Sequence, residues 1–245
     1  MKCFCPIRLK RQGKFLDVPC GRCAACFVNK RQDWIFRLTE ELKVSRNSYF
    51  VTLTYNDENL HLIKDEFDCS NVQKFIKNLR YELDRLGIKI KYFYCTERGD
   101  KSNRLHHHML LFTDSSIEIG NYVSNEWKLG FVSLGQCNIK TIKYTTKYIL
   151  KNEKRAYMSK GLGISFLTQE KKNFFREKGE FTIRTGGTNR ILTRYYKEKI
   201  FTKDELELIR DHKIIKDEPV DDYKYLLEQQ KAFARRVERL KKCKI

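Results

Sequence analysis

Leu105-His106-His107-His108-Met109-Leu110-Leu111-Phe112-Thr113 is the stretch on which the reading of this chain turns. The apolar run that follows the histidines predicts a β-strand. Side chains alternate along a strand, so His106 and His108 share one face and His107 points to the other. Two imidazoles on one side of a rigid strand can hold one divalent cation. The same spacing is also that of a histidine cluster on a solvated edge. Three of the five histidines in the chain fall here.

The flanking sequence supplies partners for this strand. Lys89 to Thr96 predicts a second strand, joined to the first through the polar turn 98–103 as a hairpin. Tyr49 to Tyr55 is β-branched and aromatic and ends at Asn56-Asp57, a third strand. Between them, Val72, Phe75, Ile76, Leu79, Leu83 and Leu86 repeat at helical spacing, predicting a helix over 71–86 with Ser70 as N-cap and Gly87 as stop. Phe27, Trp34, Ile35, Leu38 and Leu42 predict an earlier helix over 27–44. Downstream come a helix over 119–128, a short strand Gly130 to Leu134, and a helix over 139–151. This order predicts an α+β fold, an antiparallel sheet covered by helices.

Composition narrows the partner. The 245 residues carry a formal net charge of +19, and 13% of them are aromatic. That combination points to a polyanion, with nucleic acid ahead of an anionic membrane surface. No apolar run has the length of a membrane span, and Met1 to Pro6 lacks the apolar stretch of a signal peptide. A reducing cytoplasm is the expected compartment, where nine cysteines signify metal binding or free thiols rather than disulfides. Cys20, Cys23 and Cys26 form two overlapping C-x-x-C steps, and Cys3 or Cys5 could complete a tetrahedral zinc site. Reduced thiols in a tight glycine-containing turn are the other reading.

Beyond residue 152 the pattern weakens, and Gly161, Gly163, Gly179, Gly186 and Gly187 break the chain into loops. Arg190 to Lys197 mixes base with aromatic, as a nucleic-acid surface or a surface strand would. Residues 203–212 and 222–243 read as helices, the second rich in Lys and Arg.

The helix over 139–151 carries Tyr144 and Tyr148, four apart and therefore on one face. A histidine-held cation, two phenols and a basic chain together suit attack of a tyrosine oxygen on a DNA phosphodiester. The tyrosines also read as helix-face residues packed on the sheet. A non-catalytic DNA-binding or packaging protein would explain the charge but not this spacing. A zinc hydrolase using water would have no use for paired tyrosines.

Leu105-His106-His107-His108 together with Tyr144-x-x-Lys147-Tyr148-x-x-Lys151 resembles the motifs of HUH endonucleases. The chain from its first cysteines to about residue 200 resembles the replication initiators of microviruses, the gokushovirus type above all. Further matching pieces are Cys20-Gly21-Arg22-Cys23-Ala24-Ala25-Cys26 before a Trp34-bearing helix, Phe50 to Tyr55, Cys95-Thr96-Glu97-Arg98-Gly99, and Thr193-Arg194-Tyr195-Tyr196. One departure is His107, which stands where the motif has a bulky apolar residue. The resemblance implies an HUH core over 46–152, preceded by a Cys-rich segment, 1–45, and followed by a basic, helical extension, 153–245. It implies His106, His108 and Glu97 as ligands of Mg²⁺ or Mn²⁺, and Tyr144 and Tyr148 as nucleophiles with Lys147 steadying the phosphate. Thr52, Thr54, Lys151 and Arg194 are the expected DNA contacts. Cys3, Cys5, Cys20, Cys23 and Cys26 are the candidates for a structural zinc. The implied function is nicking and rejoining of single-stranded DNA at a phage origin through a 5′-phosphotyrosine, in the host cytoplasm and alongside host helicase or polymerase.

Overall fold

The histidine-bearing strand lies at the centre of a five-stranded sheet in a computed structural model of the chain. The structure describes residues 2–11, 13–63, 65, 68–99, 103–151, 156–179, 181–185, 188–216, 231 and 235. Its strands are β1 (Ile7–Arg11), β2 (Lys14–Val18), β3 (Asn47–Tyr55), β4 (Ile90–Arg98), β5 (Leu105–Thr113), β6 (Gly130–Gln136), β7 (Tyr157–Met158), β8 (Thr182–Thr185) and β9 (Thr188–Ile191). Its helices are α1 (Ala24–Val44), α2 (Ser70–Asp84), α3 (Gly120–Glu126), α4 (Ile139–Lys151), α5 (Gln169–Lys178), α6 (Arg194–Ile200) and α7 (Lys203–Lys216). The chain divides into two compact units, residues 31–166 and residues 1–30 with 167–245.

The sheet of the first unit runs β6-β3-β5-β4-β7, and every neighbouring pair is antiparallel. Both faces are covered, which is why β5 is buried along almost its whole length and apolar throughout Met109 to Phe112. One face buries Val51, Leu53, Tyr94, Met109 and Leu111 against Val72, Phe75, Ile76, Leu79 and Leu83 of α2 and Val123 of α3. The other face buries Phe93, Cys95, Leu110 and Phe112 against Trp34 and Leu38 of α1 and Ile142, Tyr148 and Ile149 of α4. Each fully buried Leu or Phe here removes enough apolar surface from water to stabilise the fold by about 1.5–3 kcal/mol. The α+β architecture expected from the sequence is the one observed.

Local chemistry sets the element ends. Asn138 caps α4, its Oδ1 accepting from the N–H of Lys140 at 2.8 Å and of Thr141 at 3.0 Å. After α2 the chain turns at Gly87, whose φ of 69° is the left-handed region glycine enters without strain. Ser70 is not the N-cap of α2: it is the first helical residue, and Cys69 holds the cap position without a side-chain bond. The N–H of Ser70 is instead taken by Asp68 Oδ1 at 2.9 Å.

In the second unit hydrophobic periodicity did not reveal the β1–β2 hairpin, the β8–β9 hairpin, α5 or α6; α6 takes Arg194–Ile200, where the sequence read as a nucleic-acid surface or a surface strand. Residues 203–216 form α7, longer than the expected 203–212. Of the expected helix over 222–243, Lys231 and Arg235 are helical, and the rest lies outside the described residues.

Candidate metal and tyrosine site

Strand register brings the first three side chains together. Glu97 of β4 is the direct partner of His106 on β5, and Cys95 is the partner of His108. Residues two apart on a strand share a face, so Glu97, His106 and His108 project from the α4 side of the sheet. His108 Nε2 lies 3.3 Å and His106 Nε2 3.6 Å from Glu97 Oε2. One ligand atom from each residue falls within 4.8 Å of the other two.

The imidazoles are oriented from behind. His106 Nδ1 sits 3.1 Å from the carbonyl oxygen of Arg104, which can only accept, so Nδ1 carries a proton and the ring is held with Nε2 toward Glu97. His108 Nδ1 is 3.1 Å from Thr52 Oγ1, its cross-strand partner on β3. Its ring is stacked between Phe50, with centroids 5.5 Å apart, and Tyr148, also at 5.5 Å. Burial holds His108 below the usual imidazole value, with His106 and Lys147 adding to the effect against the pull of Glu97. A neutral, buried imidazole is the form that ligates a metal.

Glu97 is buried as well. Burial alone would raise its carboxyl, but His106, His108 and the Tyr148 phenol outweigh that and hold it well below the usual carboxylate range. Its Oε2 makes no hydrogen bond, although it is fully shielded from solvent. A buried, ionised oxygen set between two imidazole nitrogens is a place that a cation would occupy favourably. One carboxylate and two imidazoles make a donor set that could hold a divalent cation.

The two tyrosines of α4 meet this group on the same face. Tyr144 Oη is 3.5 Å from His108 Nε2. Tyr148 is almost fully buried at 2% exposure, and its phenol donates to Glu97. Burial, then Glu97 and Tyr144, push the Tyr148 phenol far above its ordinary value, so it stays protonated. Lys147 Nζ lies 4.1 Å above the Tyr144 ring and 5.0 Å above that of Tyr148. Arg31 NH2 donates to the carbonyl of Lys143 at 2.9 Å and ties α4 to α1.

The other expected residues divide. His107 points to the opposite face, is fully buried, and pairs with Thr96 Oγ1 at 2.8 Å and with Tyr55 Oη at 3.4 Å. Burial pushes its imidazole down to about 3. Thr52 reaches the site through His108. Thr54 is the strand partner of His106, and its carbonyl accepts from Trp127 Nε1 at 3.2 Å. Lys151 ends α4, and its side chain lies outside the described ones. Arg194 belongs to the other unit, where it pairs with Glu198 at 2.5 Å. Tyr196 is fully buried there, so it offers no ring for stacking on a base. In that unit Cys3, Cys20, Cys23 and Cys26 bring their sulfurs within 4.8 Å of one another, whereas Cys5 is exposed and outside the group. The parts the sequence did not signal are Phe50 and the Arg104 carbonyl. Phe50 was readable as a same-face neighbour of Thr52, two residues before it on the strand, and a backbone carbonyl leaves no mark in a sequence.

Known proteins carry the same region. Residues 48–153 match the family model of the ORF2-type replication-associated proteins, a span that includes Glu97, both site histidines and both tyrosines. The chain is similar to viral replication-associated proteins. The replication-associated protein ORF2 of Spiroplasma virus 4 is 29% identical over 194 residues, covering 66% of this chain and 60% of that protein. The replication-associated protein ORF4 of Chlamydia phage 1 is 27% identical over 55% of this chain and 38% of its own length. The replication-associated protein VP4 of Bdellovibrio phage phiMH2K is 26% identical over 54% of this chain and 48% of its own length. The chain thus spans at most 60% of these curated relatives. No solved structure matches it. No described helix is long and apolar enough to cross a membrane.

Proposed function

We propose that this protein initiates phage DNA replication by nicking and rejoining single-stranded DNA at an origin through a 5′-phosphotyrosine. The observation that carries the reading is the meeting of Glu97, His106 and His108 with the Tyr144 and Tyr148 phenols on one face of the sheet. Similarity to viral replication-associated proteins supports a role in replication, and a charge of +19 supports a DNA partner.

Tyr144 is the more accessible phenol, and its oxygen neighbours His108 rather than Glu97. That oxygen attacks the scissile phosphorus, forming the O–P bond as the bond from phosphorus to the 3′ oxygen breaks. The phenol proton leaves to water, and the departing 3′ oxygen takes one up, so charge and atoms balance. The 3′ hydroxyl is then available for a host polymerase to extend. Lys147, poised over both rings, stabilises negative charge on the phenol and on the phosphate. Mg²⁺ or Mn²⁺ held by Glu97, His106 and His108 would polarise a non-bridging phosphate oxygen. Tyr148, one helical turn away, is placed to attack the second time, when the replicated circle is released and joined.

The test is to mix the protein with end-labelled single-stranded DNA carrying the origin and Mn²⁺, then run a denaturing gel. A protein–DNA adduct, with the nucleotide mapped to Tyr144 or Tyr148 by mass spectrometry, is the expected result. Retarded DNA in native gels without any adduct would favour a non-catalytic binding or packaging protein.

A further inference from the structure

We infer that Cys3, Cys20, Cys23 and Cys26 hold one zinc ion that is purely structural, clamping the β1–β2 hairpin to the first turn of α1. Four observations meet here.

The first is distance. A tetrahedron of sulfurs about 2.3 Å from a central zinc has edges of about 3.8 Å. The sulfurs of Cys3 and Cys20 are 3.5 Å apart, Cys3 and Cys23 3.6 Å, Cys23 and Cys26 3.6 Å, and Cys20 and Cys26 4.0 Å. The two remaining pairs also lie within 4.8 Å. These separations are far beyond the ~2.05 Å of a disulfide. They equally leave no room for a polynuclear iron–sulfur cluster between the thiols.

The second is backbone support. The N–H of Cys20 donates to Cys3 Sγ at 3.3 Å, and those of Arg22 and Cys23 donate to Cys20 Sγ at 3.4 Å and 3.2 Å. Gly21 between them has a φ of 74°, which lets the chain fold its N–H groups back onto the sulfur. Bonds of this kind favour thiolates, the form that binds metal.

The third is the state of the hairpin. Ile7, Leu9 and Phe15 are 41%, 47% and 65% exposed, so β1 and β2 lack a buried apolar face. Arg8 and Asp17 pair across the strands in the open, where an ion pair contributes little. A two-stranded hairpin without a core is marginal in water. Cys3 precedes it and Cys20 follows it, so an ion bound to both closes the ribbon at its base.

The fourth is chemistry. Four thiolates fill all positions of a tetrahedral zinc and leave none for water or substrate, which marks a structural rather than a hydrolytic site. Cys5 is exposed and stands outside the group.

The test uses the full chain carrying His106→Ala and His108→Ala, so that the other metal-competent group contributes nothing. Elemental analysis after purification without added metal should find one zinc per chain. Cys5→Ser should keep it, and Cys23→Ser and Cys26→Ser should lose it. Should those two variants fail to fold, the parent chain exchanged into cobalt decides the matter. Intense tetrahedral bands with thiolate charge transfer are expected, and weak octahedral bands overturn the inference. Metal-free protein, iron in place of zinc, or zinc retained by Cys23→Ser overturns it too. No readout here involves DNA, so the nicking reading and this one stand or fall separately.

Discussion

In the proposed reaction His106 and His108 serve the chemistry, whereas His107, between them, is buried on the opposite face and serves the fold. His106→Ala takes a ligand from the Glu97 group and leaves the core intact, whereas His108→Ala also empties the space between Phe50 and Tyr148. Adduct formation should vanish in either variant, while the melting temperature of His106→Ala stays within a few degrees, measured by gel and by calorimetry. His107→Ala leaves the Thr96 hydroxyl without its partner in a dry core. It should destabilise the fold by about 1–3 kcal/mol yet retain cleavage in the folded fraction. A dead His107→Ala beside an active His108→Ala would reverse the register assigned to β5. Thr52→Val tests the support behind His108: removing the Nδ1 partner should weaken Mn²⁺ affinity about 10- to 100-fold, read by titration. Thiol reactivity probes the core at the same scale. Burial pushes the Cys95 thiol up to about 12 and the Cys137 thiol up to about 11, whereas Cys5 is exposed. Brief iodoacetamide treatment of native protein near neutral pH should label Cys5 and spare Cys95 and Cys137 in a peptide map.

At the scale of the element, α4 presents two tyrosines that are equivalent in sequence and unequal in the fold. Tyr148 is enclosed and tied to Glu97, and Tyr144 is the more open. Tyr148→Phe should therefore keep most of the first cleavage and lose the later transfer. Tyr144→Phe should depress the first cleavage more strongly, and the double variant should form no adduct. Equal first cleavage by both single variants would mean that the helix moves before attack. The spacing of Tyr144 and Tyr148 was legible in the sequence because a helix turns once in about four residues. Their inequality was not, since it comes from Glu97 on another strand. The same contrast runs through the elements. β3, β4, β5, α2 and α4 announced themselves by apolar periodicity because each buries a continuous face. The β1–β2 hairpin escaped notice because its strands have only five residues each and Ile7, Leu9 and Phe15 are exposed. α5 escaped because Phe175 is the only residue among its ten that it buries fully. Gly130, at the start of β6, shows how tightly the legible part is built. A Cβ there would sit 2.2 Å from the Thr54 carbonyl oxygen, at a φ of 154°. Gly130→Ala should cost about 2–4 kcal/mol, a fall of roughly 5–15 °C in melting temperature.

For the whole molecule, the net charge of +19 allows the proposed holding of DNA to be separated from the proposed cutting. Attraction between a basic chain and phosphates is spread over many side chains, whereas the proposed reaction draws its divalent ion to one group, Glu97, His106 and His108. Charge and aromatic content were legible without any fold, and they pointed to a polyanionic partner; the convergence of strands and helix that supports the proposed reaction required long-range register, which no local window contains. The two properties should come apart experimentally. EDTA should abolish the covalent adduct while leaving most of the affinity for single-stranded DNA, measured by fluorescence anisotropy at low salt. Raising the salt should do the reverse, weakening binding steeply. The logarithm of affinity should fall linearly with the logarithm of salt concentration, at about 0.7 per phosphate neutralised on a single strand. His106→Ala with His108→Ala should show the same salt slope as the parent, because neither imidazole supplies the charge that draws DNA in. A slope that flattened in that variant would mean that the site itself is a principal DNA anchor, and binding and cleavage would then share one set of residues.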